Sequence, residues 1–410
     1  MRLLASGSLR ETEEMLVGIV GKPNAGKSTF FAAATLAPVD IAAYPFTTIK
    51  PNRGIAYVTR PCPHADLGTS CDPHNAPCAD GVRLVPLDLL DVAGLVPKAH
   101  RGRGLGNRFL DDLRQASAFI HVVDASGATD HEGNIGSPGD HDPAEDVQFL
   151  EDELDHWMAG ILAKGWDKLA RRAEIEGEDL VKLLSDRLTG LGFREPQVQL
   201  ALRQADLEGP PRDWKEEELL TVARQLRRVG KPMVLAANKA DIAPQAALQS
   251  LSDIPDVRLI PTCSECELAL RRAAKAALLD YIPGASGFTP RPGSSLTTEQ
   301  EDALEKIRTH LDQFGFTGVQ RCLEELVFEL MGMLVVFPVE DENRWTDKDG
   351  NVLPDAFLMP RGSVARDLAY QVHTDLGDNF IRAVDARTKR VLGKDYELQD
   401  GDVIRVVARS

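Results

Sequence analysis

The sequence of 410 residues has no long apolar run, and this lack excludes a membrane-spanning helix. Hydrophobic residues make up 43% of the chain and charged residues 27%, which is typical of a globular protein. The N-terminal stretch MRLLASGSLRETEEM lacks the apolar core of a signal peptide and carries acidic residues that a transit peptide avoids. We therefore expect a cytoplasmic protein without a membrane partner, built from about two to three domains.

Positive charge is scarce, since the net charge is −16. A broad nucleic-acid-binding surface needs clustered Lys and Arg to neutralise phosphates, so the sequence argues against such a surface over most of the chain. Residues 361–410 differ, because nine basic residues there stand against eight acidic ones. This segment is compatible with a local basic face and equally with a surface that is merely near neutral.

Cysteine is also scarce, and six in so long a chain do not form a disulfide framework. Five potential zinc ligands nevertheless lie within seventeen residues, namely Cys62, His64, Cys71, His74 and Cys78. Tetrahedral Zn²⁺ takes four sulfur or nitrogen ligands, and we assign the candidate site to Cys62, His64, Cys71 and Cys78. The segment contains no C-x-x-C spacing, so free thiols in a loop are the alternative.

Apolar runs separated by helix-compatible segments predict a mainly parallel α/β sheet. The predicted strands are 15–20, 55–59, 82–93, 118–125 and 231–240. Before the last of them, apolar residues recur at helical spacing over 147–162 and 180–191, which predicts two amphipathic helices paired as an antiparallel hairpin. After a stretch rich in Gly, Pro and Ser, the sequence predicts a helix capped by Thr297 or Thr298 and then a small mixed sheet crossed by one helix.

The sequence GKPNAGKS at 21–28 matches G-x-x-x-x-G-K-[ST] between a predicted strand and a predicted helix. Glycines let backbone N–H groups surround phosphates, Lys27 neutralises phosphate oxygens, and Ser28 binds Mg²⁺. The residues expected at the phosphates are Lys22, Pro23, Asn24, Ala25, Gly26, Lys27, Ser28 and Thr29.

Two further motifs predict the magnesium side of this site. Asp91 ends an apolar strand in DVAG, where its carboxylate can hold Mg²⁺ while the N–H of Gly94 contacts a γ-phosphate. The stretch YPFTTIKPNRG lies between the phosphate loop and DVAG, where a switch segment donates a threonine to Mg²⁺. We favour Thr48, with Thr47 as the alternative.

The sequence NKAD closes the last predicted strand with Asn238, Lys239 and Asp241. The Asp241 carboxylate can accept hydrogen bonds from two adjacent N–H donors of guanine, whereas adenine presents no such pair, so the motif favours GTP over ATP. Cys263, Ser264 and Glu265 follow the next apolar run, where a second base-contacting loop is expected.

Together, GKPNAGKST, YPFTTIKPNRG, DVAGLV and NKAD resemble the Obg family of GTPases, and its YchF branch in particular. The resemblance implies a P-loop GTPase domain with a helical insertion, and a C-terminal β-grasp module similar to a TGS domain, which occurs in ribosome-linked and RNA-linked proteins. YchF proteins typically carry Glu in place of Asp241 and prefer ATP, so the ATP preference is not carried over. Because similar proteins start near the first strand, Met15 is an alternative translation start.

The predicted domain boundaries follow from these observations. The GTPase domain comprises 1–140 and 228–285, interrupted by a helical insertion at 141–227. A helical linker at 286–332 precedes the TGS-like module at 333–410.

The residue after the DVAG glycine is Leu95, where many GTPases have a glutamine that orients the attacking water. This resembles a subset of GTPases that lack the glutamine, some of which bind K⁺ through an asparagine placed like Asn24. A cation there would offset charge in the transition state, and a turn-forming role for Asn24 is the alternative. The expected catalytic residues are Lys27, Thr48, Gly94 and Asn24, and the nearby loop with His100, Arg101 and Arg103 is a second candidate.

Three functions are compatible with the sequence. The first is a slow Mg²⁺-dependent GTPase that acts as a switch for the ribosome or RNA through the C-terminal module. The second is a nucleotide-gated adaptor without relevant hydrolysis, and the third is an ATPase of the YchF type.

Overall fold

The computed structural model describes residues 15–36, 52–92, 113–294 and 296–409. Its first sheet has seven strands: β1 (Leu16–Val20), β2 (Arg53–Pro61), β3 (Cys78–Ala79), β4 (Val82–Asp91), β5 (Ala118–Asp124), β6 (Met233–Asn238) and β7 (Arg258–Thr262). The order is β2-β4-β1-β5-β6-β7, and β3 pairs with the outer part of β4. The strands β4, β1, β5, β6 and β7 run parallel to one another, whereas β2 and β3 run antiparallel to β4. The prediction of a mainly parallel sheet is confirmed.

The central strands are apolar on both faces, because helices cover the sheet on each side. All five residues of β1 and all seven of β5 are buried. The carboxyl ends of parallel strands meet at one edge of the sheet, so the loops after β1, β5, β6 and β7 converge there. Ligands of open α/β sheets bind at this edge.

The described residues form thirteen α-helices. They are α1 (Lys27–Thr35), α2 (His64–Leu67), α3 (Pro143–Ala163), α4 (Trp166–Ile175), α5 (Leu180–Leu188), α6 (Glu195–Ala205), α7 (Glu216–Gly230), α8 (Gln245–Ser252), α9 (Ser264–Lys275), α10 (Thr298–Phe314), α11 (Val319–Glu324), α12 (Ala365–Val372) and α13 (Thr374–Asp378). A π-helical segment, Glu325–Leu330, continues α11. No helix in these parts of the chain is long and apolar enough to cross a membrane.

The helical region between β5 and β6 is confirmed, and it is larger than the predicted pair of helices. It contains five helices, α3 to α7, and the two predicted ones correspond to α3 and α5. The long helix α3 packs along α7, which precedes β6, and α6 also packs against α7. Arg227 of α7 donates to the buried Asp155 of α3 at 2.6 Å, so an ion pair inside the region fixes the two helices.

The C-terminal module is a five-stranded sheet covered by a helix. Its strands are β10 (Met333–Val339), β11 (Phe357–Pro360), β12 (Phe380–Asp385), β13 (Val391–Leu392) and β14 (Val403–Ala408), in the order β11-β10-β14-β12-β13. Only β10 and β14 are parallel, so the sheet is mixed, as predicted. Leu368 of α12 packs against Leu334 and Ile404.

A short hairpin and a capped helix connect the two sheets. The hairpin consists of β8 (Leu279–Asp280) and β9 (Thr289–Pro290). Thr297 caps α10, since its hydroxyl accepts from the N–H of Gln300 and the Gln300 side chain accepts from the N–H of Thr297.

The C-terminal module packs directly on the first sheet. Val335 and Phe337 of β10 belong to the same buried apolar cluster as Val17 and Ile19 of β1. A continuous core of this kind fixes the module relative to the nucleotide edge, because separating the two would expose the apolar surface of both.

Candidate nucleotide-binding site

The loop after β1 is held in a tight conformation by two glycines with positive φ. Gly21 has a φ of 145° and Gly26 a φ of 100°. A Cβ at Gly21 would lie 2.3 Å from the carbonyl oxygen of Val122, and one at Gly26 would lie 2.1 Å from Nδ2 of Asn238. Larger residues are therefore excluded on both conformational and steric grounds. The phosphate loop accordingly lies tightly between β5 and the end of β6.

Lys27 is the first residue of α1 and is 8% exposed. Its Nζ donates to the carbonyl oxygen of Lys22 at 2.7 Å, which bends the side chain back over the loop. Burial lowers the pKa of Lys27 to about 8, although the charge of Asp91 opposes this shift. A buried ammonium at a helix N-terminus favours an anionic ligand, because the helix dipole and the lysine charge act in the same direction.

Ser28 and Asp91 face each other beside Lys27. The Ser28 Oγ lies 3.5 Å from Oδ2 of Asp91. Burial raises the pKa of Asp91, while Lys27 and the Ser28 hydroxyl oppose that shift. A hydroxyl and a carboxylate are hard oxygen donors, and this donor set fits Mg²⁺. Thr48 and Gly94 lie outside the described residues, as do Leu95 and the loop with His100, Arg101 and Arg103.

Asn238 connects the base-reading motif to the phosphate loop. Its Nδ2 donates to the carbonyl oxygen of Ala25 at 2.9 Å, and its Oδ1 accepts from the N–H of Ser264 at 3.0 Å. The side chain is 3% exposed, so both bonds are shielded from water. One amide therefore joins the phosphate loop, the end of β6 and the start of α9.

Lys239 adds a second connection. Its Nζ donates to Asp124 at 2.7 Å and to the carbonyl oxygen of Asn24 at 3.2 Å. Burial raises the pKa of Asp124, but the bonds from Lys239, Ser126 and Thr129 outweigh that effect, and the pKa is lowered. Asp124 is thus an ionised anchor for Lys239, and the sequence did not single it out.

Asp241 has a free carboxylate at the mouth of this site. Its side chain is exposed, and among the described residues no donor bonds to it. A carboxylate oxygen lies within 4.8 Å of the sulfurs of Cys263 and Cys266. The structure thus brings together the NKAD motif and the loop of Cys263, Ser264 and Glu265, which were predicted as two parts of one base site.

Cys263 and Cys266 form a disulfide, which was not predicted. Their Cα atoms are 5.2 Å apart because Cys263 caps α9 and Cys266 lies in its first turn. That separation suits a disulfide. The signal in the sequence was the C-S-E-C spacing.

The Lys22 side chain of the phosphate loop is bonded to other parts of the protein. Its Nζ donates to the carbonyl oxygen of Thr129 at 2.6 Å and pairs with Asp146 of α3, also at 2.6 Å. Both side chains are almost fully buried, and a buried ammonium needs a paired anion. Lys22 therefore fixes the phosphate loop to the helical region, and only its main chain is left for phosphates.

Three family profiles match separate parts of the chain. The profile described as 50S ribosome-binding GTPase matches residues 16–150, and the one described as Obg-like GTPase YGR210-like, G4 motif-containing domain, matches 236–341. The TGS domain profile matches 345–408. An uncharacterised GTP-binding protein of Methanocaldococcus jannaschii is 51% identical over 395 residues, which cover 96% of this chain and 99% of the relative. The chain belongs to the Obg-like GTP-binding proteins.

Two further comparisons place this Obg-like protein within the family. The crystal structure of a GTP binding protein from Pyrococcus horikoshii OT3 matches with a TM-score of 0.77 and 42% identity, over 96% of this chain and all of that one. The ribosome-binding ATPase YchF of Bacillus subtilis is 29% identical and covers 95% of this chain and 98% of its own length. The protein is therefore related to YchF, and its C-terminal module is a TGS domain.

Asn24 of this Obg-like protein has the turn conformation that was the alternative considered for it. Its φ of 60° is a turn conformation that asparagine tolerates. Its Nδ2 donates to the carbonyl oxygen of Gly133 at 2.9 Å, and among the described residues nothing donates to its Oδ1. The amide is thus anchored through its nitrogen, and its oxygen has no protein donor among the described residues.

The structure also brings the four candidate zinc ligands together. One ligand atom from each of Cys62, His64, Cys71 and Cys78 lies within 4.8 Å of the other three. His74, the fifth candidate, is not part of this group.

His121 makes the stability of this Obg-like protein depend on pH. It lies on β5 beside the phosphate loop and is 2% exposed. Burial, together with the charges of Lys27 and Lys22, lowers its pKa from 6.5 to about 3. The unfolded chain takes up a proton near pH 6.5, whereas the folded chain does not until about pH 3. The stabilisation is therefore complete above pH 6.5 and is lost as the pH falls towards 3.

From the titration of His121 alone, we expect the free energy of unfolding to fall by about 2 kcal/mol between pH 7 and pH 5. His121→Gln removes the titrating group, whereas His373→Gln changes an exposed histidine and serves as the control. Urea unfolding at several pH values measures the difference. The same pH dependence in wild type and His121→Gln would contradict the assignment.

Proposed function

We propose that this protein binds GTP with Mg²⁺, hydrolyses it slowly to GDP and acts as a switch for a ribosome-linked partner. The observation that carries the proposal is the Asn238 amide, which joins the phosphate loop to the base loop. A nucleotide that reaches from Lys27 to Asp241 would contact both sides of this connection. The free Asp241 carboxylate selects guanine, because adenine would leave it without donors.

The proposed roles at the phosphates follow from burial and charge. Lys27 neutralises the phosphate oxygens, and its burial strengthens the interaction by excluding water. Ser28 and Asp91 would hold Mg²⁺, which would offset the negative charge of the phosphates. Thr48 as a further magnesium ligand and the Gly94 N–H as a γ-phosphate contact remain predictions from the sequence.

Hydrolysis by this protein depends on K⁺ in our proposal, because Leu95 cannot orient water. Asn24 offers its Oδ1 beside the phosphate loop while Gly133 holds its nitrogen. Single-turnover hydrolysis of GTP should be about tenfold faster in KCl than in NaCl, since the cation offsets charge that develops in the transition state. Asn24→Ala should remove this difference, and Leu95→Ala should change the rate little.

The experiment also tests whether the protein is an enzyme. Equal rates in KCl and NaCl would contradict the role of Asn24 while leaving hydrolysis intact. A rate in KCl no faster than buffer alone, with GTP still bound, would contradict the proposed GTPase activity and favour a nucleotide-gated adaptor.

The ribosome-linked part of the proposal rests on relatives and on the TGS domain. The name of the Bacillus subtilis relative includes ribosome binding, and so does the description of the profile that matches residues 16–150. The shared core between β10 and β1 connects the TGS domain rigidly to the nucleotide sheet. Cosedimentation with ribosomes should differ between the GDP-bound protein and the protein bound to a non-hydrolysable GTP analogue. Absence of sedimentation in both states would contradict this part.

A further inference from the structure

The segment between β2 and β4, residues 62–81, has too few apolar residues to fold around a core of its own. Apart from its cysteines, its apolar side chains are one leucine and three alanines. The rest of the segment is rich in Pro, Asp and Gly, yet it contains the helix α2 and the strand β3. Small units without a core are commonly stabilised by a metal or by disulfides. The cysteines of this segment are free thiols.

Three of the six distances between the ligand atoms of this segment are known, and they are close to those of a tetrahedral zinc site. Zn–S bonds of about 2.3 Å and Zn–N bonds of about 2.0 Å at a tetrahedral angle place two sulfurs about 3.8 Å apart and a sulfur and a nitrogen about 3.5 Å apart. The Cys62 and Cys71 sulfurs are 3.8 Å apart. The Nδ1 of His64 is 3.2 Å from the Cys71 sulfur and 3.6 Å from the Cys78 sulfur. No disulfide has sulfurs this far apart.

The same segment contacts a loop of the C-terminal part of the chain, residues 352–356. The N–H of Asp72 donates to the carbonyl oxygen of Val352 at 2.9 Å, and the N–H of His74 donates to that of Pro354 at 2.7 Å. The Asn75 side chain donates to the carbonyl oxygen of Ala356 at 3.0 Å and accepts from its N–H at 2.9 Å. The segment therefore lies along the loop and is bonded to it at alternate residues, as one β-strand is bonded to the next.

A buried arginine strengthens this contact. Arg83 of β4 is fully buried and donates to the carbonyl oxygens of Ala76 and Leu353 at 2.8 and 2.6 Å. The carbonyl of Ala76 belongs to the segment 62–81, and that of Leu353 belongs to the loop at 352–356. Residues 71 to 78 are therefore fixed between the proposed metal ligands and the C-terminal loop.

We infer that Cys62, His64, Cys71 and Cys78 bind one structural Zn²⁺, which orders residues 62–81 and so holds the loop at 352–356 against the first sheet. Three sulfurs and one imidazole are a ligand set of closed structural zinc sites. A site with all four positions filled by protein leaves none for substrate, so the role is structural. Nothing in this inference depends on which nucleotide is bound.

The first test is the metal content of the full-length protein. After washing with a weak chelator, elemental analysis should find about one equivalent of zinc, and less than about 0.2 equivalents would overturn the inference. About one equivalent of iron in place of zinc would also overturn it. Co²⁺ added to the metal-free protein should give the visible absorption of tetrahedral cobalt bound to thiolates.

The second test asks whether the metal holds the C-terminal loop. Hydrogen exchange should be compared between zinc-loaded and metal-free protein at the amides of Asp72, His74, Val352 and Ala356. We expect exchange at these amides to become about tenfold faster or more without zinc, while the amides of β5 stay unchanged. Zinc binding without this difference would overturn the coupling to the loop.

Variants provide an independent control. Cys71→Ser and Cys78→Ser should lose zinc and show the same fast exchange. Cys322→Ala removes a buried cysteine outside the group and should keep both the zinc and the slow exchange. Because the metal-free wild type provides the same comparison, the test does not depend on the variants folding.

Discussion

Asp241→Asn is expected to weaken GTP binding by about two orders of magnitude and to make xanthosine triphosphate the preferred nucleotide. The Asp241 carboxylate is exposed and unpaired among the described residues, so it can accept both N–H bonds from guanine. An asparagine amide keeps one acceptor but replaces the other with a donor. Xanthine has a carbonyl oxygen where guanine has its amino group. This oxygen can accept a hydrogen bond from the amide N–H of the asparagine.

Competition binding with GTP, XTP and ATP measures this reversal. Asp312→Asn changes an exposed carboxylate on α10 and is the matched control, which should leave all three affinities unchanged. If GTP binding fell less than about threefold in Asp241→Asn, the carboxylate would not contact the base. Equal affinities of the wild type for ATP and GTP would also contradict the guanine assignment.

Lys27→Ala is expected to slow GTP hydrolysis by about 10² to 10³-fold, the loss usually seen when one preorganised charge or donor leaves an active site. Lys27 is buried at the start of α1, and no other lysine ammonium of the phosphate loop is available. The Lys22 ammonium is already bonded to Asp146 and Thr129. Single-turnover kinetics with saturating enzyme measures the loss.

Lys22→Ala provides the contrast, because it changes a buried lysine of the same loop. Its removal leaves the Asp146 carboxylate buried without its ammonium partner, so the free energy of unfolding should fall by about 3 kcal/mol. The folded fraction should still hydrolyse GTP within about threefold of wild type. If the two variants showed the reverse pattern, the roles of the two lysines would be exchanged.

The parts of the candidate site that could be predicted are those formed by short sequence motifs. A phosphate loop and NKAD fix their chemistry within a few positions, so Ser28, Lys27 and Asn238 could be assigned from spacing alone. The partners that hold these residues lie far away in sequence. Asp146 is on a helix of the inserted region, and no local pattern relates it to Lys22.

The fold shows the same division. Buried strands are strong apolar runs, and the predicted strands agree with β1, β2, β4, β5 and β6. In the helical region, α4, α6 and α7 were not predicted; α4 and α7 carry many charges, and α7 packs between α3 and α6. Among the zinc candidates, the four assigned residues are the ones that the structure brings together, whereas the backbone contact of His74 with Pro354 could not be predicted because the two residues are far apart in sequence.

The Asn238 amide has a consequence for product release. GDP keeps both the base and the β-phosphate, so loss of the γ-phosphate leaves intact the connection from Ala25 through Asn238 to Ser264. Guanosine or a bare phosphate would contact only one end of this connection. The free energy of binding of the whole nucleotide is therefore not the simple sum of those of guanosine and phosphate. We therefore expect release of GDP to be slow until either end moves, and we expect a partner that displaces the start of α9 to loosen the phosphate loop without contacting it.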